Sequence, residues 1–303
     1  MTSMATAHLE RRDDDQALGG DRGSDTGAFR TISVTPIAGA LGAEIGGVDL
    51  AADLDDEVVA EIRRAFLDHR VVFFRDQSLD SDRFVAFARR IGEIGHYPFV
   101  PGIEGHPEII AVLKEPEERV NFGGIWHSDT AYLERPPSAT MLLAREIPPY
   151  GGDTLYANQY LAFESLSPAM QEMLLPLRAV NTSAMADVSK TREDRMRGTD
   201  APVDDHESVH PVVRTHPETG RRALYVNVAH TERFEGMSTE ESRGLLQFLF
   251  AHQVRPEFTC RFRWEPGSLA LWDNRCAQHN PVNDYHGHRR LLHRITLAGD
   301  LPS

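Results

Sequence analysis

The sequence predicts a mainly β chain with flanking helices, arranged as a β-sandwich or jelly roll. Three observations carry that expectation. Short apolar runs recur along the chain with glycine and proline between them, as strands joined by loops require. Only three windows place apolar residues at helical spacing. No segment repeats at a period of roughly twenty to fifty residues, which excludes a solenoid or a propeller.

The elements follow in chain order. The pattern becomes globular at Arg30, and residues 31–37 and the glycine-rich 42–50 read as strands with close backbone approaches. Residues 55–70 set Val58, Val59, Ile62, Ala65 and Phe66 on one helical face, and the run Val71–Phe74 after them suits a buried strand. A second amphipathic helix covers 79–91, with Asp80 or Ser81 at its N-cap. Residues 109–113 and 139–144 are further strands, joined by long loops. Residues 182–209 are polar and aperiodic, and read either as a surface excursion or as a mobile lid. Residues 223–227 are strand-like, and Ser238 with Glu241 forms a capping box that opens a helix through Leu245, Leu246, Phe248 and Leu249. Phe258, Cys260, Phe262 and Trp264 then alternate with Thr259, Arg261 and Arg263, the period of two of a strand with one buried face. Residues 268–273 and 289–297 give the last two strands.

The 303 residues are 41% hydrophobic, enough to bury a real core, and 30–303 are expected to form a single domain. Residues 1–29 are charged and glycine-bearing without an apolar segment, so they read as a disordered tail. The formal net charge of −14 argues against a nucleic-acid partner, because phosphate contacts need a basic face. A small molecule is the expected partner, and a few arginines in a pocket can still hold an anion. Cys260 and Cys276 are the only cysteines and form no C-x-x-C pair, which points to a reducing, cytoplasmic setting. No stretch is long and apolar enough to cross a membrane. A homo-oligomer, dimer or tetramer, is expected.

Chemistry concentrates in three places. In Trp126-His127-Ser128-Asp129, extended backbone would point residues two apart to one face, so His127 and Asp129 can share a metal ion. Far along the chain, His279 follows an apolar strand within WDNRCAQHNPVNDY. Two histidines and one carboxylate make a facial triad that leaves three positions open on octahedral iron, two for a chelating 2-oxo acid and one for dioxygen. Zinc fits less well, because three-ligand zinc sites normally serve hydrolysis. The third place is the strand bearing Arg290 and Arg294, on one face about 13 Å apart. Guanidinium groups there can anchor the distal end of a dicarboxylate.

In combination the segments WHSD (126–129), GGDTLY (151–156), HPVVRTHPETG (210–220), LYVN (224–227), WDNRCAQH (272–279) and HRRLLHRIT (288–296) resemble those of the taurine and aryloxyacetate dioxygenases, in the same order. These belong to the Fe(II)- and 2-oxoglutarate-dependent superfamily. The resemblance covers about 31–301 and implies a double-stranded β-helix core, jelly-roll and cupin-like. It implies His127, Asp129 and His279 as ligands of Fe(II), and Thr154 and Arg290 as the holders of the distal carboxylate of 2-oxoglutarate. Arg294 matches a position close to both the co-substrate and the acidic head of the prime substrate. The implied reaction uses O2, hydroxylates a C–H bond and yields succinate and CO2. Cleavage of a C–O, C–N or C–S bond follows where the hydroxylated carbon carries the heteroatom. Because Asp129 keeps its carboxylate, a halogenase is disfavoured.

The outer pocket departs from the taurine enzymes. Residues 92–100 align so that Tyr97 and Val100 occupy the substrate-facing positions, and a slide of one residue brings in His96. His230 stands where taurine enzymes carry an aromatic residue, and Thr130 follows the metal-binding carboxylate. The expected substrate is a small anion other than taurine: a carboxylate, a sulfate ester or a sulfonate. An oxygenase of the same family that tailors a carboxylated natural-product intermediate is the alternative. A metal-binding jelly roll without redox chemistry is opposed by Thr154 and Arg290. A hydrolase is opposed by the lack of G-x-S-x-G and H-E-x-x-H motifs.

Overall fold

A strand that is apolar at every position must be covered on both faces, and Val71–Phe74 is such a strand. The computed structural model describes residues 28–97, 100–121, 123–185 and 206–303. The chain opens with β1 (Ser33–Pro36), β2 (Ala43–Gly46), α1 (Asp56–His69), β3 (Val71–Phe74) and α2 (Ser81–Ile91). It continues through β4 (Ile110–Lys114), β5 (Ala139–Glu146), β6 (Thr154–Asn158), α3 (Gln159–Glu164), α4 (Pro168–Leu174) and β7 (Arg178–Thr182). Next come β8 (Glu207–Pro211), β9 (Val213–Thr215), β10 (Arg222–Leu224), β11 (Thr231–Phe234) and α5 (Thr239–His252). The last elements are β12 (Thr259–Phe262), β13 (Leu269–Asp273), β14 (Ala277–Pro281) and β15 (Arg290–Leu297).

Seven strands form the large sheet in the order β1-β2-β3-β13-β5-β15-β4, and β12-β6-β14 form a smaller one. Alternation along the central strands sends successive residues to opposite cores. Val72, Phe74, Leu269, Leu271, Met141, Leu143 and Ile295 pack with Ile62 and Phe66 of α1 and with Phe84 and Phe87 of α2. Their neighbours Phe73, Ala270, Trp272, Leu142 and Leu292 instead meet Tyr156 and Phe262 of the small sheet, and Trp264 beyond it. The two sheets thus face each other across a core whose open end holds the site. The mainly β, jelly-roll expectation is met, with helices on the outer face of the large sheet.

Local signals explain the helix ends. Asp80 accepts the Arg83 amide and starts α2, as one of the two N-cap candidates foresaw. At α5, Ser238 and Glu241 form the reciprocal capping box. Three expectations need correction. The strand expected over 42–50 stops at Gly46, where Gly47 adopts φ +78° and turns the chain. The strand expected over 223–227 is only Arg222–Leu224, because β9 offers it just three partners. Phe29, grouped above with the tail, lies under the Arg64 guanidinium at 4.0 Å and packs on the outer core. Of the polar stretch 182–209, Thr182 ends β7 and Glu207, Ser208 and Val209 begin β8, which pairs with it antiparallel, so only 183–206 connect the two strands. The tail over 1–27 and the part of that connection over 186–205 lie outside the described residues.

Candidate active site

The site forms where the small sheet gains one more backbone contact. His279 lies in β14, opposite Tyr156 of β6. On its free side it exchanges both backbone hydrogen bonds with His127, at 3.0 and 2.9 Å. Directly opposed residues in such a pair carry side chains on the same face, so the imidazole centroids stand 4.1 Å apart. The sequence predicts extended backbone over 127–129; the structure gives an isolated bridge at His127 followed by a turn through Asp129 and Thr130. The turn still delivers the carboxylate. Asp129 Oδ1 lies 3.6 Å from Nε2 of His127 and 3.8 Å from Nε2 of His279. All three residues are buried, and one ligand-type atom from each falls within 4.8 Å of the others.

The electrostatics suit a cation. Nδ1 of His127 meets the Ile125 carbonyl at 2.7 Å; a carbonyl only accepts, so Nδ1 carries a proton and Nε2 is the nitrogen turned toward Asp129. Burial first, and the neighbouring His127 second, push His279 down to about 3, so that ring is neutral at pH 7. For Asp129, burial pulls upward, but the neighbouring His127 and His279 imidazoles and the Arg294 charge outweigh it and hold the carboxyl well below its usual range. A carboxylate flanked by two imidazoles is the donor set that a 2-His-1-carboxylate iron site uses. His279 has no hydrogen-bond partner at Nδ1 among the described residues, and Trp272, 4.6 Å away between ring centroids, holds its ring by packing.

A second trio, His216, Asp273 and Cys276, also brings ligand-type atoms together, but its polar atoms are already used. Nδ1 of His216 accepts the backbone N–H groups of Glu218 and Thr219, and Nε2 sits 3.0 Å from Asp273. Asp273 is gripped by Arg275 through Nε and Nη2, at 2.8 and 2.7 Å. That trio is an internal ion-pair network.

Thr154, Arg290 and Arg294 line the same cavity as the His-Asp-His trio, together with Val112, Leu142 and Trp272. Arg290 is buried, donates from Nη2 to the Gly152 carbonyl at 3.0 Å, and leaves Nε without a partner. Among the described residues no carboxylate forms an ion pair with it, and a buried guanidinium in that condition calls for an anion. Thr154 Oγ1 accepts the Trp264 indole N–H at 2.9 Å, which leaves its own proton to donate. Gly152 is part of the cradle: at φ +71°, a Cβ there would stand 3.1 Å from Arg290 Nε. Gly123 does the same for the metal side, because a Cβ there would come within 2.8 Å of His127 Cε1. The cavity therefore offers a trio for a metal ion and, beside it, a basic and hydroxyl-bearing end for a carboxylate.

The residues expected on the substrate side divide. Tyr97 lies against Arg294, with the guanidinium carbon 4.2 Å from its ring centroid. Val100 packs with Ile110 and Tyr132, and Tyr97 joins that cluster. His230 is buried, 5.0 Å from the Tyr132 ring and 6.1 Å from the His127 ring; burial, then His127, push it down to about 3. Thr130 is buried with φ +40°, next to Asp129 in the chain. His96 is exposed and lines a separate outer hollow with Arg89, Glu93 and Glu108, away from the trio. Sequence reasoning missed Thr140 and Asn274. Thr140 donates to Asp129 Oδ2 at 2.5 Å, Asn274 donates to Thr140 at 2.9 Å, and the Trp272 indole donates to Asn274 at 2.9 Å. Asn274 stood inside the WDNR segment; Thr140 carried no signal, since only strand register brings it there.

Comparison with known proteins matches the geometry. Residues 33–296 match the family described as taurine catabolism dioxygenase TauD, TfdA family. The chain is 37% identical over 278 residues to the alpha-ketoglutarate-dependent sulfate ester dioxygenase of Pseudomonas putida, covering 89% of this chain and 91% of that protein. It is 33% identical over 277 residues to the alkylsulfatase of Acinetobacter baylyi, covering 89% and 86%. Among solved structures, a taurine dioxygenase from Burkholderia xenovorans superposes with a TM-score of 0.76 at 39% identity, covering 90% of this chain and 91% of that one.

Proposed function

The chain belongs to the taurine catabolism dioxygenase TauD, TfdA family, and from that premise we propose which residues carry the reaction and which substrate it takes. It is an Fe(II)- and 2-oxoglutarate-dependent dioxygenase acting on a small molecule. His127, Asp129 and His279 hold the iron. Thr154 and Arg290 hold the distal carboxylate of 2-oxoglutarate, and Arg294 faces both the co-substrate and the anionic head of the substrate. Bound iron, with 2-oxoglutarate and O2, supplies oxidative hydroxylation: one oxygen atom enters the substrate and the other enters succinate as CO2 leaves. The observation that carries the assignment is the convergence of three buried ligand-type atoms beside a buried arginine that has no carboxylate partner among the described residues.

The protein's own part is binding, orientation and exclusion of water. Arg290 and Thr154 fix the far end of the co-substrate, so its 2-oxo acid end is directed at the trio. Val112, Leu142 and Trp272 make the walls between apolar and keep the charges in a low dielectric. On the substrate side, Tyr97 backs Arg294, and Val100, Ile110 and Tyr132 supply an apolar surface next to it. Of the described residues lining the cavity, the only carboxylate is Asp129, which the metal uses. An anionic head with an apolar remainder fits this setting, in which no further carboxylate of the described lining stands ready for the ammonium of taurine.

The pocket calls for an anion with an apolar remainder, and the likeness to a sulfate ester dioxygenase and an alkylsulfatase supports an alkyl sulfate ester as the substrate class. Hydroxylation of the carbon that bears the ester oxygen gives a hemiacetal-type product, which collapses to an aldehyde and inorganic sulfate. A panel of carboxylates, sulfonates and sulfate esters, scored by succinate release, tests this. The expected result is greatest turnover with an alkyl sulfate, with succinate and sulfate formed one to one. Turnover of taurine in preference to every sulfate ester contradicts it.

A further inference from the structure

Resting on the metal-centre assignment above, we infer that Trp272, Asn274 and Thr140 form a one-way hydrogen-bond relay that engages one oxygen of Asp129 and so selects the other as the metal ligand. The direction is determined at each link. An indole N–H can only donate, so the Asn274 atom 2.9 Å from Trp272 Nε1 is the amide oxygen. The Asp129 backbone N–H points to the same oxygen, at 3.4 Å. A flipped amide would set donor against donor at both contacts. The other end of the amide is therefore the NH2 group, and it donates to Thr140 Oγ1 at 2.9 Å. With that oxygen accepting, the single hydroxyl proton of Thr140 goes to Asp129 Oδ2, 2.5 Å away.

Trp272, Thr140, Asn274 and Asp129 are all buried, so water cannot replace a missing link. Turning Oδ2 away would leave the Thr140 hydroxyl unsatisfied in a dry site, a heavily penalised state. Oδ2 is thus committed, and Oδ1, the oxygen that faces both Nε2 atoms, is the one left for the ion. A carboxylate bound through one oxygen occupies one position, and three remain for the 2-oxo acid and dioxygen. One bound through both oxygens would take a second position and compete with them.

The fold supplies the relay through register. Trp272 of β13 pairs with Thr140 of β5, and Asn274 follows directly after β13. The Trp272 ring also packs on the His279 imidazole, so the origin of the relay supports two of the three proposed ligands. Thr140, Asn274 and Trp272 are therefore positioning residues, acting through Asp129 and His279.

Cobalt(II), whose d–d absorption reports coordination number and geometry, is the probe. Thr140→Val keeps the shape and removes the donor; Thr140→Ser keeps the donor. The expectation is that Thr140→Val weakens cobalt binding by about 10- to 100-fold, the usual loss for a missing outer-shell partner, and alters the d–d spectrum. Thr140→Ser restores both. Wild-type affinity and spectrum in Thr140→Val overturn the relay, as does failure of Thr140→Ser to restore them. If Thr140→Val does not fold, Trp272→Phe, which removes the first donor along with part of the ring that packs on His279, carries the test: an unchanged cobalt spectrum and affinity overturn the relay. A wild-type protein that binds no cobalt overturns the metal-centre assignment and the relay with it. Wild-type binding with an unaltered Thr140→Val overturns the relay alone.

Discussion

Arg290 is a cation buried between Trp264 and Tyr285, its guanidinium carbon 5.7 Å from each ring centroid. Desolvation is the main penalty it carries, and the co-substrate carboxylate is the group proposed to offset it. Hydrogen bonds to charged groups contribute about 1.5–3 kcal/mol, or roughly 10- to 150-fold at tenfold per 1.4 kcal/mol. Arg290→Ala is expected to raise the KM for 2-oxoglutarate by about that factor with a much smaller change in kcat, and an unchanged KM contradicts the anchor assignment. At this scale the proposed ligands were legible in the sequence because histidine and carboxylate at H-x-D spacing, with a second histidine far along the chain, have specific metal chemistry; the structure brings His127, Asp129 and His279 together. Thr140 was not legible. A threonine inside the apolar run of 139–144 reads as an ordinary strand residue, and only its pairing opposite Trp272 turns its hydroxyl toward Asp129.

β13 is the element on which both cores depend. All five of its residues are buried; Leu269 and Leu271 face the helix-covered core, and Ala270 and Trp272 face the site. Leu271→Ala deletes apolar volume on the side away from the chemistry. The expected cost is about 2–5 kcal/mol of stability, read from chemical denaturation, with the 2-oxoglutarate requirement of the folded fraction unchanged. A stability loss below about 1 kcal/mol contradicts the placement of Leu271 in a close-packed core. The element was foreseen because five residues, mostly apolar, follow a turn at Pro266-Gly267. The 223–227 strand was overextended for the opposite reason. Tyr225, Val226 and Asn227 are buried and read as strand, but Asn227 is held in a loop: its Oδ1 accepts the His230 amide and its own amide donates to Thr231 Oγ1. Local pattern reports burial, and it cannot tell a ladder from a packed loop.

For the molecule as a whole, an excess of acidic residues coexists with a basic pocket. The net charge is −14 and few of the described acidic residues are buried, while Arg290 and Arg294 are buried on the one face of β15 that looks into the cavity. That segregation lets an acidic protein take an anionic co-substrate and an anionic substrate. The sheet class was legible from alternation and turn residues, but the strand order was not. No local signal says that β13 inserts between β3 and β5, or that β15 lies between β5 and β4, because such pairings join residues far apart in the chain. No helix among the described residues is long and apolar enough to cross a membrane.

The central claim is that His127, Asp129 and His279 hold ferrous iron with positions left open for a 2-oxo acid beside Arg290. The most direct measurement is the visible spectrum of the apoprotein after anaerobic addition of Fe(II) and then 2-oxoglutarate. The account predicts a weak charge-transfer band that appears only when both are present, is lost in Asp129→Ala, and needs more 2-oxoglutarate in Arg290→Ala. A wild-type protein that shows no band, or an Asp129→Ala variant that keeps both the band and succinate formation, contradicts it.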